Sequence, residues 1–370
     1  MSYQRLVAKF GTNLITGGTD QLDSEVMTSL VEQVAQLYKQ RHEVIIVSSG
    51  AVAAGRQKLG LTKERKDVPF KQVLASVGQN ELMHAYAQLF SQHNITVAQA
   101  LLTKSDLADR AGYLNARNTL LALIELGVIC IVNENDVVAT DELGGISFGD
   151  NDNLSAMVAN LVDADLLALF TDIDGLYTAD PQRDSNAKLI PRVERIDGEI
   201  ERLASGATST HGVGGMATKI EAARLATSSG VTVVIANGRK PDALKQVALG
   251  ENIGTLFPTQ ASKLESRKRW MLSGLASTGK LIIDDGAALA LKQQNRSLLP
   301  AGIVNVDGEF QRGDVVGISN SEGNHIGHGI SNYDSKDVVT IKGAHSEAIP
   351  GLLGYEYGAE VIHRNNMVLL

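Results

Sequence analysis

The stretch GDNDNLSAM, Gly149 to Met157, sets two aspartates and two asparagines side by side and then turns apolar. An Asp or Asn just before an apolar helix caps its free N–H groups, which accounts for one of the four. Other polar clusters close short apolar runs. Lys9, Gly11 and Thr12 end VAKFGT; Ser48, Ser49 and Gly50 end VIIVSSG; Asn133, Asn135 and Asp136 end IVNEND; Thr171, Asp172 and Asp174 end LFTDID. Each cluster alone reads as a turn, but a turn does not explain the lysine or the recurrence. Two Gly-rich turns, SSGAVAAGR and HGVGGMATKIEAA, open helical patterns, with Lys219 one turn inside the second. Exposed N–H groups and the dipole at a helix start favour an anion. Two lysines, two such turns and several Asp and Asn fit phosphoryl transfer, where catalysis is mostly positioning and charge neutralisation.

Several other chemistries lack their residues. The string G-x-x-x-x-G-K-[ST] is absent, as are the H-R-D and D-F-G signatures of protein kinases and the G-x-S-x-G elbow. Ser49 has no discernible His/Asp partner for nucleophilic work. Gly212 to Ala217 matches a G-x-G-x-x-A fingerprint, yet the polar RLASGATSTH before it supplies no strand, so a dinucleotide site is rejected. The eight histidines form no metal-ligand pair; His325 and His328 fall in a turn-rich stretch and read as surface residues. Cys130, the single cysteine, sits inside GVICIVNEND and reads as a small buried hydrophobe.

The elements that position these residues alternate. Strand-like runs cover 5–11, 43–50, 95–103, 127–135, 165–172 and 231–238. They are apolar on consecutive positions, as in strands buried on both faces of a parallel sheet. Helical spacing predicts helices over 24–41 and near 70–92, 113–125, 152–163, 216–229 and 241–249. The alternation predicts an open, mainly parallel, doubly wound α/β sheet. In such a sheet the ligand crevice lies outside the carboxyl ends of the strands, so the polar clusters converge on one edge. After about residue 275 short runs broken by Gly, Asp and Asn read as a small all-β barrel or sandwich. The expected division is 1–260, a charged linker 261–276 with a helical turn, and 277–370.

The totals agree with this organisation. A chain of 370 residues exceeds what one core serves. With 34 Lys and Arg against 42 Asp and Glu, the net charge is −8, which argues against a general nucleic-acid surface. One cysteine permits no internal disulfide and suits a reducing compartment. No signal peptide is evident at the start and no apolar run spans a membrane; a cytoplasmic protein is expected.

Taken together, VAKFGTNLITGG, VIIVSSGAVAAGR, IVNENDVVAT, FGDNDNLSA, FTDIDGLYTADP and GVGGMATKIEAA resemble the glutamate 5-kinase branch of the amino-acid kinase family, and SLLPAGIVNVDGEFQRGDVVGISN resembles a PUA domain. The resemblance covers nearly the whole chain. It implies the amino-acid kinase fold and magnesium- and ATP-dependent phosphorylation of the γ-carboxylate of L-glutamate, the first step of proline synthesis. Lys9, Lys219 and Asp152 are implied as catalytic, with Asp152 holding the two lysines and capping its helix. Ser49, Asp136 and Asn151 are implied to bind glutamate, supported by Asp150 and Asn133. Lys9, Gly11, Thr171, Asp172 and the turn of Val213, Gly214, Gly215, Met216, Ala217, Thr218 and Lys219 are implied to hold ATP, with magnesium carried by its phosphates. The family also implies a homo-oligomer, dimer or tetramer, proline as feedback inhibitor, and a glutamyl phosphate reductase as functional partner. Phe10, Asn13 and a longer 141–149 loop depart from the family pattern. The alternatives are an acetylglutamate or aspartate acceptor, or RNA binding through the C-terminal domain. Residues 280–370 carry seven Lys and Arg against eleven Asp and Glu, which disfavours the last.

Overall fold

The computed structural model describes residues 3–61, 67–139, 151–181, 183–206, 215–259, 279–294 and 296–369. The chain divides into two compact units, one of residues 1–107 and 117–263 and the other of residues 108–116 and 264–370. The linker expected at 261–276 lies outside the described residues.

The first unit is built on a seven-stranded sheet of order β3-β4-β2-β1-β5-β6-β7. Its strands are β1 (Arg5–Phe10), β2 (Glu43–Ser48), β3 (Val97–Leu102), β4 (Ile129–Glu134), β5 (Leu166–Thr171), β6 (Thr232–Asn237) and β7 (Thr255–Phe257). All pairs are parallel except β6 with β7, the edge. The consecutive apolar runs explain why: β4 and β5 are buried at every position, as parallel strands covered by helices on both faces are. The helices are α1 (Thr12–Ile15), α2 (Ser24–Lys39), α3 (Ala51–Leu59), α4 (Val68–Ser91), α5 (Lys104–Ala108), α6 (Arg110–Glu125), α7 (Asn151–Leu161), α8 (Gly198–Gly206), α9 (Met216–Ser228) and α10 (Ala243–Ala248). In α2 the face Met27, Leu30, Val31, Val34 and Leu37 is buried, and Asp23 caps the start by accepting from the N–H groups of Glu25 and Val26.

Two features fix the site's frame. The chain steps from β1 to β2 on one side and from β5 to β6 on the other, so strand order reverses between β1 and β5. Crevices form at such switch points. The parallel register aligns the strand ends: Lys9 lies beside Val47 and Leu169, Phe10 beside Ser48 and Phe170, Leu101 beside Asn133, and Thr171 beside Asn237. The second feature is the crossing of α3 and α4. A Cβ on Gly78 would sit 1.8 Å from the carbonyl oxygen of Ala51, and one on Gly55 would sit 1.9 Å from that of Leu74. Only glycine allows this backbone-on-backbone approach.

The second unit holds a five-stranded sheet of order β12-β11-β10-β8-β9: β8 (Gly279–Ile283), β9 (Ile303–Gly308), β10 (Val315–Asn320), β11 (His325–Ile330) and β12 (Met367–Leu369). It also carries α11 (Asp285–Gln294), α12 (Ser335–Ile341) and α13 (Ile349–Leu353). The turn-rich texture conceals these short helices. Leu281, Ile283, Leu291, Val316, Ile318, Tyr333 and Ile341 form its core. The stretch with His325 and His328 is a strand rather than a turn, and a register shift between Ile318 and Ser319 brings the two Nε2 atoms within 3.0 Å. A second small cluster joins Leu114 to Val315, Ile330 and Val368. Arg110 donates to Asp314 at 3.0 Å and Arg312 to Asn115 at 2.5 Å.

Candidate active site

The carboxylate of Asp152 is the centre of the site. α7 begins at Asn151, so Asp152 lies within the first turn and does not cap it. Its side chain instead joins three partners. Lys9 Nζ, from the next-to-last residue of β1, lies 2.6 Å from Oδ1, and Lys219 Nζ, from the first turn of α9, lies 3.2 Å from Oδ2. Thr218 Oγ1 donates to Oδ2 at 2.8 Å. Asp152 is 1% exposed, and Lys9 and Lys219 are 6% and 5% exposed. Burial alone would raise the carboxyl pKa. The charges of Lys9 and Lys219, with the hydrogen bonds from Lys9 and Thr218, outweigh it and hold the group well below the usual carboxylate range. The buried cluster therefore keeps one net positive charge at the place where the strand order reverses.

The strand ends around the switch point carry further polar groups. Gly11 follows β1, and its N–H donates to the carbonyl oxygen of Phe170 at 3.2 Å, so the ends of β1 and β5 touch at the switch point. A Cβ on Gly11 would lie 3.5 Å from Lys9 Nζ, so the glycine leaves room beside the ammonium. Thr171 Oγ1 donates to Asp172 Oδ1 at 2.9 Å, and Asp174 accepts from Asn237 at 3.0 Å and pairs with Lys240 at 2.8 Å. α9 starts after Gly215 with no side-chain cap, which leaves its first backbone N–H groups to an anion. Met216 is buried and Ala217 exposed, so any anion contact there is through backbone. Val213 and Gly214 lie outside the described residues.

A second polar group lies on the β2 and β4 side. Asn151 Nδ2 donates to Ser49 Oγ at 2.9 Å and to Asn133 Oδ1 at 3.0 Å. Gly50, at φ +105°, turns the chain into α3; a Cβ there would lie 2.4 Å from Ile15 Cδ1. Asp136 follows β4 half-buried, and burial with the nearby Glu134 charge raises its carboxyl to about 7. Asp150 lies outside the described residues. The structure thus brings Lys9, Asp152, Lys219 and Thr218 together, and separately Ser49, Asn133 and Asn151. Gln79 of α4 joins the second group by accepting from Asn133 Nδ2 at 2.8 Å. Sequence reasoning misses it: in LASVGQNELM it is one polar residue in mid-helix, and only the glycine before it hints at a close approach. Cys130 is buried in β4, and burial pushes its thiol up to about 12, so it takes no part.

Comparison with known proteins agrees with the geometry. The model of the amino acid kinase family matches residues 4–237, and that of the PUA domain matches residues 279–353. The chain belongs to the amino acid kinase family. Within it, the similar full-length proteins are glutamate 5-kinases. That of Dehalococcoides mccartyi (strain CBDB1) is 57% identical over 368 residues, covering 100% of this chain and 99% of the relative. Those of Herpetosiphon aurantiacus and Shewanella sediminis are each 50% identical, over 366 and 370 residues, covering 99% and 100% of this chain and 98% and 99% of theirs.

Proposed function

We propose that the chain transfers the γ-phosphoryl group of ATP to the γ-carboxylate of L-glutamate, giving L-glutamyl 5-phosphate, the first step of proline biosynthesis. The observation that carries this reading is the buried Lys9–Asp152–Lys219 cluster at the switch point, in a chain whose similar full-length proteins are glutamate 5-kinases. The acceptor carboxylate has a reference pKa of about 4.3, so it is ionised at neutral pH and needs no general base. One carboxylate oxygen bonds to the γ-phosphorus while the bond from that phosphorus to the β,γ-bridging oxygen breaks, and ADP leaves with the electron pair. The difficulty is the approach of two anions. Lys9 and Lys219 meet it with positive charge in a water-poor site, where such charge is worth far more than in water. Asp152 positions both ammonium groups. Gly11, Thr171, Asp172 and the 213–219 turn hold the nucleotide; Ser49, Asn151 and Asp136 hold glutamate, with the Asp136 carboxylate facing the substrate ammonium, and Asn133 and Asp150 support them.

Magnesium enters with the nucleotide. Asp152 is already shared by two lysines and a threonine, so the ion is assigned to the phosphate oxygens of the nucleotide. Bound there, the ion would supply further neutralisation of phosphate charge. Among the described residues no helix is long and apolar enough to cross a membrane, in keeping with a cytoplasmic place for the reaction. A homo-oligomer, proline as feedback inhibitor and a reductase receiving the labile product belong to the same reading.

The test is an acyl-phosphate trap. Purified protein with Mg-ATP and hydroxylamine should give a hydroxamate with L-glutamate and none with N-acetyl-L-glutamate or L-aspartate. Product with another acceptor alone would keep the kinase chemistry and overturn the assignment of Asp136 and Asn151. A folded protein silent with all three would overturn the reading.

A further inference from the structure

The amides on the β4 side form a chain of fixed polarity. The backbone N–H of Glu134 donates to Asn133 Oδ1 at 2.9 Å. A backbone N–H can only donate, so this contact settles which Asn133 atom is oxygen. Asn133 Nδ2 then donates to Gln79 Oε1, and Asn151 Nδ2 donates to Asn133 Oδ1. Turning the Gln79 amide over would set one NH2 group against another. Two atoms are left: Gln79 Nε2, a donor, and Asn151 Oδ1, an acceptor. Each is buried, and neither has a hydrogen-bond partner. An unsatisfied buried polar atom costs about 1–3 kcal/mol, so such atoms call for an explanation, and at a binding site a ligand supplies one.

Position says which part of a ligand reaches Gln79. Gly78 rests on Ala51 and Gly55, so Gln79 stands beside the first turn of α3, whose cap Gly50 offers no side chain. Its amide partner Asn133 ends β4, which lies two strands from β1. At about 4.8 Å per strand spacing, the β4 end is about 10 Å from the Lys9 end. An extended five-carbon amino acid with a hydrogen bond at each end covers that span. With its γ-carboxylate at the lysines, its α-carbon groups reach the β4 side. There Asp136 suits the ammonium, and the remaining need is a donor for the α-carboxylate.

We propose that Gln79 is a specificity-determining residue whose Nε2 donates to the α-carboxylate of the acceptor amino acid; this rests on the glutamate kinase reading above. The amide selects acceptors that bring a carboxylate to that place, while the reaction at the far carboxylate is untouched by it.

The experiment compares L-glutamate with its α-monoamide, which keeps the γ-carboxylate and the ammonium but lacks the α-carboxylate. Wild-type protein, Gln79→Ala and Gln79→Glu are assayed by the hydroxamate trap. In Gln79→Ala the KM for glutamate should rise about tenfold or more, the KM for ATP should stay within about twofold, and the preference for glutamate over the α-amide should collapse. In Gln79→Glu the preference should reverse, since a carboxylate there repels the α-carboxylate and accepts from the α-amide. A Gln79→Ala variant that loses the same factor with both acceptors would reduce Gln79 to a prop for Asn133 and overturn the proposal, as would an unchanged KM for glutamate. Wild-type protein inert toward glutamate would be seen before any variant is made; it would overturn the kinase reading, and this proposal with it.

Discussion

A single carboxylate bridging two buried lysines means that each lysine is held by charge as well as by its strand or helix. Lys219→Ala should lower kcat by about 10²–10³, the usual loss for one preorganised donor, and move the KM for ATP far less; steady-state kinetics check this, and an effect on KM alone would end its transition-state role. Asp152→Asn strands two ammonium groups and should cost about 3–5 kcal/mol of stability. Its acid behaviour has a definite sign. The folded carboxyl lies below its unfolded value of about 3.9, so its contribution is present above that pH and lost as the pH falls toward the folded value. Urea midpoints of wild type and Asp152→Asn should therefore converge below about pH 4. Asp136 runs the other way. Held near 7 in the folded chain, it makes stability decline as the pH rises from about 4 to 7, while the ionised form that the proposed contact with the substrate ammonium requires appears only above. The kcat/KM for glutamate should rise through about pH 7, and Asp136→Asn should flatten that limb at a low level. Lys9 and Lys219 are legible in the sequence because lysines beside apolar runs and glycine turns have few bland explanations, while the part of Asp152 comes from the family resemblance, since a helix cap would explain it as well. Gln79 is not, because its meaning depends on which amide faces it across two elements.

At the scale of elements, β1 to β6 are legible because consecutive apolar residues leave little choice of structure, and their ends fall within a residue or two of the expected places, whereas β7, three residues long and antiparallel, is not. The short helices α1 and α5 carry too few apolar positions for periodicity to appear, those of the second unit hide among turn residues, and α8 is missed although Ile200, Leu203 and Ala204 fall at helical spacing in it. The crossing of α3 and α4 is where element packing controls the site. Gly78→Ala would place a methyl group 1.8 Å from the Ala51 carbonyl oxygen and 2.2 Å from the Gly55 N. These are backbone atoms that cannot swing aside, so the helices must separate. The expected loss is about 3 kcal/mol or more, read as a lower urea midpoint, together with a raised KM for glutamate, because Ser49, Gly50 and Gln79 all hang on that contact. Gly60→Ala is the control for a glycine with nothing within 4 Å, although its own positive φ carries a small strain.

For the whole molecule, the second unit is not a simple tail. Its core includes Leu114, Val315, Ile330 and Val368, and its polar contacts tie Arg110 to Asp314 and Asn115 to Arg312. No reading of composition along the chain reveals this, since residues 108–116 look like any other stretch of an amphipathic helix. All the described site residues lie outside this unit, so a chain lacking residues 279–370 should keep hydroxamate formation while uncovering Leu114. Its thermal midpoint should fall, and Leu114→Ser should improve its solubility while destabilising the full-length protein. A truncated chain that is folded yet inactive would place the second unit within the working enzyme.

Residues 108–116 also set an order in time. They leave the ribosome long before the strand residues Val315 and Ile330 that enclose Leu114. At about 5–20 residues per second, the wait is on the order of ten seconds or more. Through that interval the start of this helix is a nascent, half-finished surface, and the enzyme's birth includes a window in which a chaperone, or a neighbouring chain on the same message, meets Leu114 before its own partner does.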